Sequence, residues 1–249
     1  MSALLTYTLR IADDSLILSQ RLSELCGHGP AIEEDIALTN IALDLIGQAN
    51  SLLEYAAQVQ NQGKTADDLA FLRLEHQYFN TLLVEQPNGN FADTIVRQWL
   101  FDSFRVPFYE ALQHSEDLQL AAIAEKALKE TRYHWKHASE WVIRLGDGTE
   151  ESHYKAQEAL NHLYRYTDEL FFMDDVDREM INAGIGIDLE SLRPAYMERL
   201  NTVLEASTLL LPTNNWKMAG GRLGRHSEHM GHLLSEMQYM QRAYPGMEW

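Results

Sequence analysis

Two sets of residues have types and spacing suited to metal chemistry: Asp44 with Glu75-x-x-Tyr78, and Asp102 with Glu130-x-x-Tyr133. Helical bundles that hold two irons or manganeses take one carboxylate from each of two helices and a Glu-x-x-His pair from each of two others, all aimed inward. Here a tyrosine stands at both places where that pattern has an imidazole. Each separation, Asp44 to Glu75 and Asp102 to Glu130, matches a helix, a turn and half of a second helix. The chain therefore reads as a duplicated hairpin carrying a di-metal pattern stripped of its nitrogen ligands.

Positions three, four and seven apart share a helical face. On that spacing Glu75 is accompanied by Phe71, Leu72, Tyr78, Phe79 and Leu82, and Asp102 by Ile95, Trp99, Val106 and Tyr109. Glu130 has Ile123, Ala127 and Tyr133 beside it, with His134 and His137 mixed in. Asp44 has a more polar setting, Asn40 and Gln48 beside Ile41 and Ala37. These faces predict a shared buried polar cluster. Buried carboxylates must be paired, protonated or metal-bound. A metal site would need imidazole as well as oxygen. His134, four residues after Glu130, reaches the same face, whereas His76 follows Glu75 directly and points roughly 100° away. A symmetric site is not expected. The local alternative is that Arg105 pairs with Asp102 and the two tyrosine hydroxyls donate to Glu75 and Glu130.

The elements that must position these residues read as helices throughout. A first helix covers roughly residues 4–25 and stops at Gly27-His28-Gly29-Pro30. Pro30 starts the second, with Glu33, Glu34 and Asp35 complementing its dipole and Leu38, Ala42, Leu45, Ala49 and Leu52 at helical spacing. Thr65 and Asp68 form a capping-box pattern for a third helix, expected to run to about Glu85 and to break at Pro87-Asn88-Gly89-Asn90. Asn90 caps a fourth, with Pro107 inside it as a kink. Ser115 opens a fifth that ends at Gly146-Asp147-Gly148. Thr149 begins another to about Asp175, and a further one runs from about Asp188 to Ala206 unless Pro194 delays its start. A loop from Leu211 to Gly224 precedes a last helix ending at Pro245-Gly246.

Hydrophobic residues make up 45% of 249, and alternating β-branched runs are hard to find, so the class is all-α. No Pro/Gly/Ser-rich or like-charge stretch divides the chain, which predicts one domain over residues 1–249. A net charge of −17, from 37 acidic against 20 basic residues, opposes binding to nucleic acid or anionic lipid. The lone Cys26 suits a reducing compartment. No leader opens the chain and no apolar run approaches the ~18–20 residues of a membrane span, so a soluble, cytoplasmic protein is expected.

Two other motifs carry possible chemistry. His226, His229 and His232 recur at i, i+3 spacing, a shallow metal stripe or, more simply, a solvated or interface stripe. Gly220-Gly221-Arg222-Leu223-Gly224-Arg225 has the flexibility and charge for phosphate but matches no nucleotide fingerprint. Its simpler reading is a loop whose arginines balance an acidic surface. No nucleophile elbow occurs.

Several segments resemble the PaaC family, the C subunits of bacterial ring-1,2-phenylacetyl-CoA epoxidases. They are Tyr7-Thr8-Leu9-Arg10 with Leu18-Ser19-Gln20-Arg21-Leu22, the run from Leu83 to Thr94, Ser227-Glu228-His229-Met230-Gly231 and Glu236-Met237-Gln238-Tyr239. That resemblance implies a ferritin-like helical bundle with additional C-terminal helices. It also implies membership of an NADPH- and O2-dependent monooxygenase complex of aerobic phenylacetate breakdown. The family's C subunit is the non-catalytic partner of a homologous di-iron A subunit that binds the CoA thioester, alongside a small B subunit and a flavin and iron–sulfur reductase. On this reading the chain itself holds no cofactor or metal, and Asp44, Glu75, Tyr78, Asp102, Glu130 and Tyr133 are degenerate positions. The alternatives are a di-iron or di-manganese oxygenase or oxidase using Asp44, Glu75, Asp102, Glu130 and His134, or a free-standing helical binding module.

Overall fold

The computed structural model describes residues 2–213 and 216–247, and among these it contains α- and 3-10 helices and no strand. The chain forms two compact units, Met1–Pro87 with Gly220–Trp249, and Asn88–Ala219.

The first unit is built on the pairing of α1 (Ala3–Ser23) with α2 (Ile32–Gln60). Ser2 caps α1 by accepting from the Leu5 amide at 3.3 Å. Helix α1 is buried on nearly every side, including Asp13 and Asp14 in its middle. Glu33, Glu34 and Asp35 occupy the first turn of α2, and Leu38, Ala42, Leu45, Ala49 and Leu52 are buried, as their spacing predicts. The helix ends in Asn61 with φ of 48°, a left-handed cap. Helix α2 departs from one detail of the sequence reading: by length and composition alone it is apolar enough to pass for a span, a test that a helix packed in a protein core also meets.

The third helix departs further from expectation. The Thr65–Asp68 capping box forms, but α3 (Ala66–Phe71) is short, and Glu75–Gln77 makes only a 3-10 turn. Residues 78–90 contain no helix. The physical reason lies in α1. Arg73 reaches back to the Leu69 carbonyl and forks onto Asp13, with Nη1 to Oδ2 at 2.9 Å. Asp13 also accepts from the Phe79 amide at 2.8 Å, and Asp14 from the Thr81 amide at 2.8 Å. Charge-assisted bonds to extended backbone replace the helical ladder that periodicity alone favours. The unit closes with α9 (Glu228–Met237) and α10 (Tyr239–Ala243).

The second unit centres on α4 (Phe91–Leu112) against α5 (Leu118–Gly146). Asn90 and Asp93 form a capping box for α4, and the helix continues through Pro107 to Leu112. Asp117 caps α5 in place of Ser115, whose hydroxyl donates to the Ile185 carbonyl at 2.9 Å. The helix expected from Thr149 to Asp175 divides into α6 (Glu150–Leu163), a 3-10 stretch Tyr164–Phe171, and α7 (Asp175–Asn182) with its own Asp174–Asp177 capping box. Helix α8 (Arg193–Ser207) starts later than Asp188 and carries Pro194 in its first turn, where the missing amide hydrogen costs nothing. Trp99, Phe101, Phe104 and Tyr109 of α4 are fully buried and form the centre of this core.

Candidate functional site

The positions that carry the di-metal pattern have very different surroundings. In the first unit Asp44 lies half-buried on α2, and Glu75 lies exposed on the 3-10 turn. Tyr78 is fully buried, but its hydroxyl donates to the Ala70 carbonyl and accepts from Gln238 Nε2 at 2.7 Å. The expected bond from Tyr78 to Glu75 is therefore corrected: loss of the third helix moves the two apart in orientation. Burial, with opposition from Arg73, pushes the Tyr78 phenol up to about 12, so it remains a neutral donor.

In the second unit Tyr133 is 54% exposed, its ring against His134 and His137. It cannot act as the buried donor to Glu130, because helical rotation turns it outward while Glu130 lies half-buried and His134 is fully buried. Asp102 is buried, and its hydrogen bond comes from Gln98 Nε2 at 2.8 Å, not from Arg105. The Arg105 guanidinium instead packs over Phe101, Phe108 and Tyr109 and bonds to the Tyr109 hydroxyl. Burial pushes the Asp102 carboxyl up to about 7 against the pull of His134, Gln98 and Arg105, and its Oδ1 accepts no hydrogen bond. Burial thus favours the neutral acid over its charged form. Among the described residues no three histidine, cysteine or carboxylate side chains gather as a group that could hold a metal. With Glu75 at the surface and Tyr133 turned outward, the donor set does not fit a di-metal centre.

The densest polar constellation is one that pattern matching missed. Asp13 and Asp14 organise Arg73 on one side and Arg222 on the other, with Arg222 Nη2 bonded to Asp14 Oδ2 at 2.8 Å. Arg222 also donates to the carbonyls of Arg10 at 2.9 Å and Phe79 at 3.2 Å. Glu85, fully buried, accepts from Asn80 Nδ2, the Ser227 amide and His226 Nδ1 at 2.7 Å. His226 Nε2 faces the Tyr78 carbonyl at 3.0 Å. Both expectations for this segment change. Arg222 is a buried strut instead of a surface charge, and the histidine stripe is broken because His226 precedes α9 with its side chain turned inward, whereas His232 is exposed. The glycines of the loop serve close packing: a Cβ on Gly221 would sit 2.1 Å from the Asn80 carbonyl oxygen. The available signal was Asp13-Asp14, two adjacent acids set between Leu9, Ile11 and Ala12 on one side and Leu16, Ile17 and Leu18 on the other.

Comparison with known proteins bears on what this scaffold belongs to. All of residues 1–249 match the family described as "Phenylacetic acid catabolic protein". The chain belongs to that family. A relative in it, the C subunit of the 1,2-phenylacetyl-CoA epoxidase of Escherichia coli (strain K12), is 49% identical over 249 residues, covering 100% of this chain and 100% of the relative. Membership in the phenylacetic acid catabolic protein family agrees with the all-α, ferritin-like fold class and with the resemblance read from the segments above.

Proposed function

We propose that this chain is the non-catalytic structural subunit of a phenylacetyl-CoA 1,2-epoxidase, packing against a homologous di-iron catalytic subunit in aerobic phenylacetate catabolism. The observation that carries the reading is the dismantled ligand set: Glu75 is exposed on a 3-10 turn, Tyr133 faces outward, and Asp102 is bonded to a glutamine. Full-length identity of 49% to an epoxidase C subunit supports the same role. Buried charged bonds tie α1, residues 73–85 and the C-terminal loop together, which suits a support for another subunit. In this reading the chain brings no cofactor, the di-iron centre belongs to the A subunit, and the B subunit and reductase complete a cytoplasmic complex. Nucleic acid and membrane are not partners.

The test is metal content with assembly. Protein purified after iron or manganese supplementation should carry well under one metal per chain, and co-expression with the A subunit should yield one stable complex on size exclusion. Stoichiometric metal lost on Asp102→Asn or Glu130→Gln would establish the rival, an oxygenase or oxidase in its own right. Two separate peaks at micromolar concentration would remove the proposed partner.

A further inference from the structure

Helix α2 is 29 residues long, yet its buried residues form only one stripe, turned to α1. The opposite stripe is apolar and open: Ile32 is 71% exposed, Ile36 56%, Leu43 61% and Ile46 44%. Ile32, Ile36, Leu43, Gly47 and Asn50 are separated by one or two helical turns, with Ile46 beside Gly47, so they lie on one side of the helix. A cleft of about 290 Å³ opens beside it, lined by Leu43, Ile46, Gly47 and Asn50 of α2 and by Ala66 and Phe71 of α3. Single exposed apolar residues need no explanation, but Leu43 and Ile46 flanking a cleft, with Ile32 and Ile36 beyond Asn40 on the same side, call for one.

Gly47 adds an independent observation. It lies in the interior of a long helix, where glycine is unfavourable relative to alanine. No strain requires it, and a Cβ built there meets nothing within 4 Å. The space above Gly47 lets another backbone approach closely, because interaxial distance is set by the side chains at the crossing. The rim supplies the polarity of what fits. Between Ile32 and Gln60 there are acidic residues and no lysine or arginine, and Glu33, Glu54 and Asp67 are exposed around the face with Asp44 half-buried. A second copy of a chain of net charge −17 would bring a like-charged rim against this one.

We propose that the outward face of α2 receives a helix of the di-iron subunit, crossing at Gly47 and carrying an apolar stripe flanked by lysine or arginine. The proposal rests on the function proposed above and adds the surface, the crossing point and the charge of the partner. Gly47→Leu and Leu43→Asp separate the possibilities. Gly47→Leu fills open space and improves helix propensity, so the isolated chain should melt at the same temperature or higher. Its affinity for the A subunit, measured by calorimetry on the purified proteins, should nonetheless fall at least about 100-fold, and that of Leu43→Asp similarly. Association of the parent should weaken as salt rises.

If the parent binds the A subunit and both variants bind equally well, this interface is wrong and the proposed function stands. If the parent itself fails to bind, both fall together. Self-association of the parent, or its binding to phosphatidylcholine vesicles, abolished by the same substitutions, would assign the face to a second copy or to lipid and overturn the proposal.

Discussion

His226 is held between the Glu85 carboxylate at 2.7 Å and the Tyr78 carbonyl at 3.0 Å, two acceptors that together favour the doubly protonated imidazolium. Burial opposes that charge, and the Glu85 bond and charge with the Tyr78 carbonyl outweigh it, leaving the pKa raised above 6.5. A raised histidine pKa contributes stability that is complete below the unfolded value and is lost as pH rises through the folded one. Denaturant unfolding between pH 6 and 9 should show that loss, and His226→Gln should lack it. A parental stability that is flat or rising over this range would contradict the imidazolium. Asp102 gives the complementary case, its carboxyl pushed up from 3.8 to about 7, principally by burial. The folded state keeps a proton that the unfolded chain releases, so stability falls as pH climbs from about 4 to about 7. Asp102→Asn should be more stable than the parent at pH 8 by on the order of 1–3 kcal/mol, an advantage that disappears below about pH 4. A destabilised Asn variant at pH 8 would show that the ionised carboxylate is needed. At this scale the sequence made Asp102 legible as buried, because Ile95, Trp99, Val106 and Tyr109 surround it on one helix. Its actual partner, Gln98, lies on the same helix and was equally within reach of that reasoning.

Helices announced by caps and periodicity were legible. The buried stripe of α2, the Thr65 and Asn90 capping boxes and the delayed start of α8 near Pro194 all follow from neighbours within a few residues. The failures are long-range. The segment after Phe71 has helical periodicity, but Asp13 and Asp14, some 60 residues earlier in the chain, capture its arginine and its amides. No local signal reports a bond spanning that separation, nor the 208-residue span from Asp14 to Arg222. The C-terminal loop locks this arrangement by contact: Gly221 packs on the Asn80 carbonyl and Gly224, at φ of 71°, on that of His76. Gly221→Ala must push the extended segment off α1, and should cost about 1–3 kcal/mol with faster hydrogen exchange across residues 76–86. Unchanged protection there would mean that the loop only rests on the segment.

For the whole molecule, the segments from Tyr7, Leu83 and Ser227 onward pointed correctly to the family, whereas the four-carboxylate pattern overstated the burial of Glu75 and Tyr133. Two of its helices are the wrong length or the wrong phase: Glu75 left the helix, and Tyr133 rotated outward. Family membership is shown by the full-length match, while the structural role is a proposal argued from the surroundings of these positions. The central claim is that chemistry occurs in the partner and not in this chain. It is tested most directly by turnover of the epoxidase complex reconstituted with a chain carrying both Asp102→Asn and Glu130→Gln. The account predicts an intact complex whose kcat and kcat/KM per catalytic subunit stay within about two-fold of the parent. An intact complex that loses about 100-fold or more in kcat would place catalytic groups in this chain and contradict it.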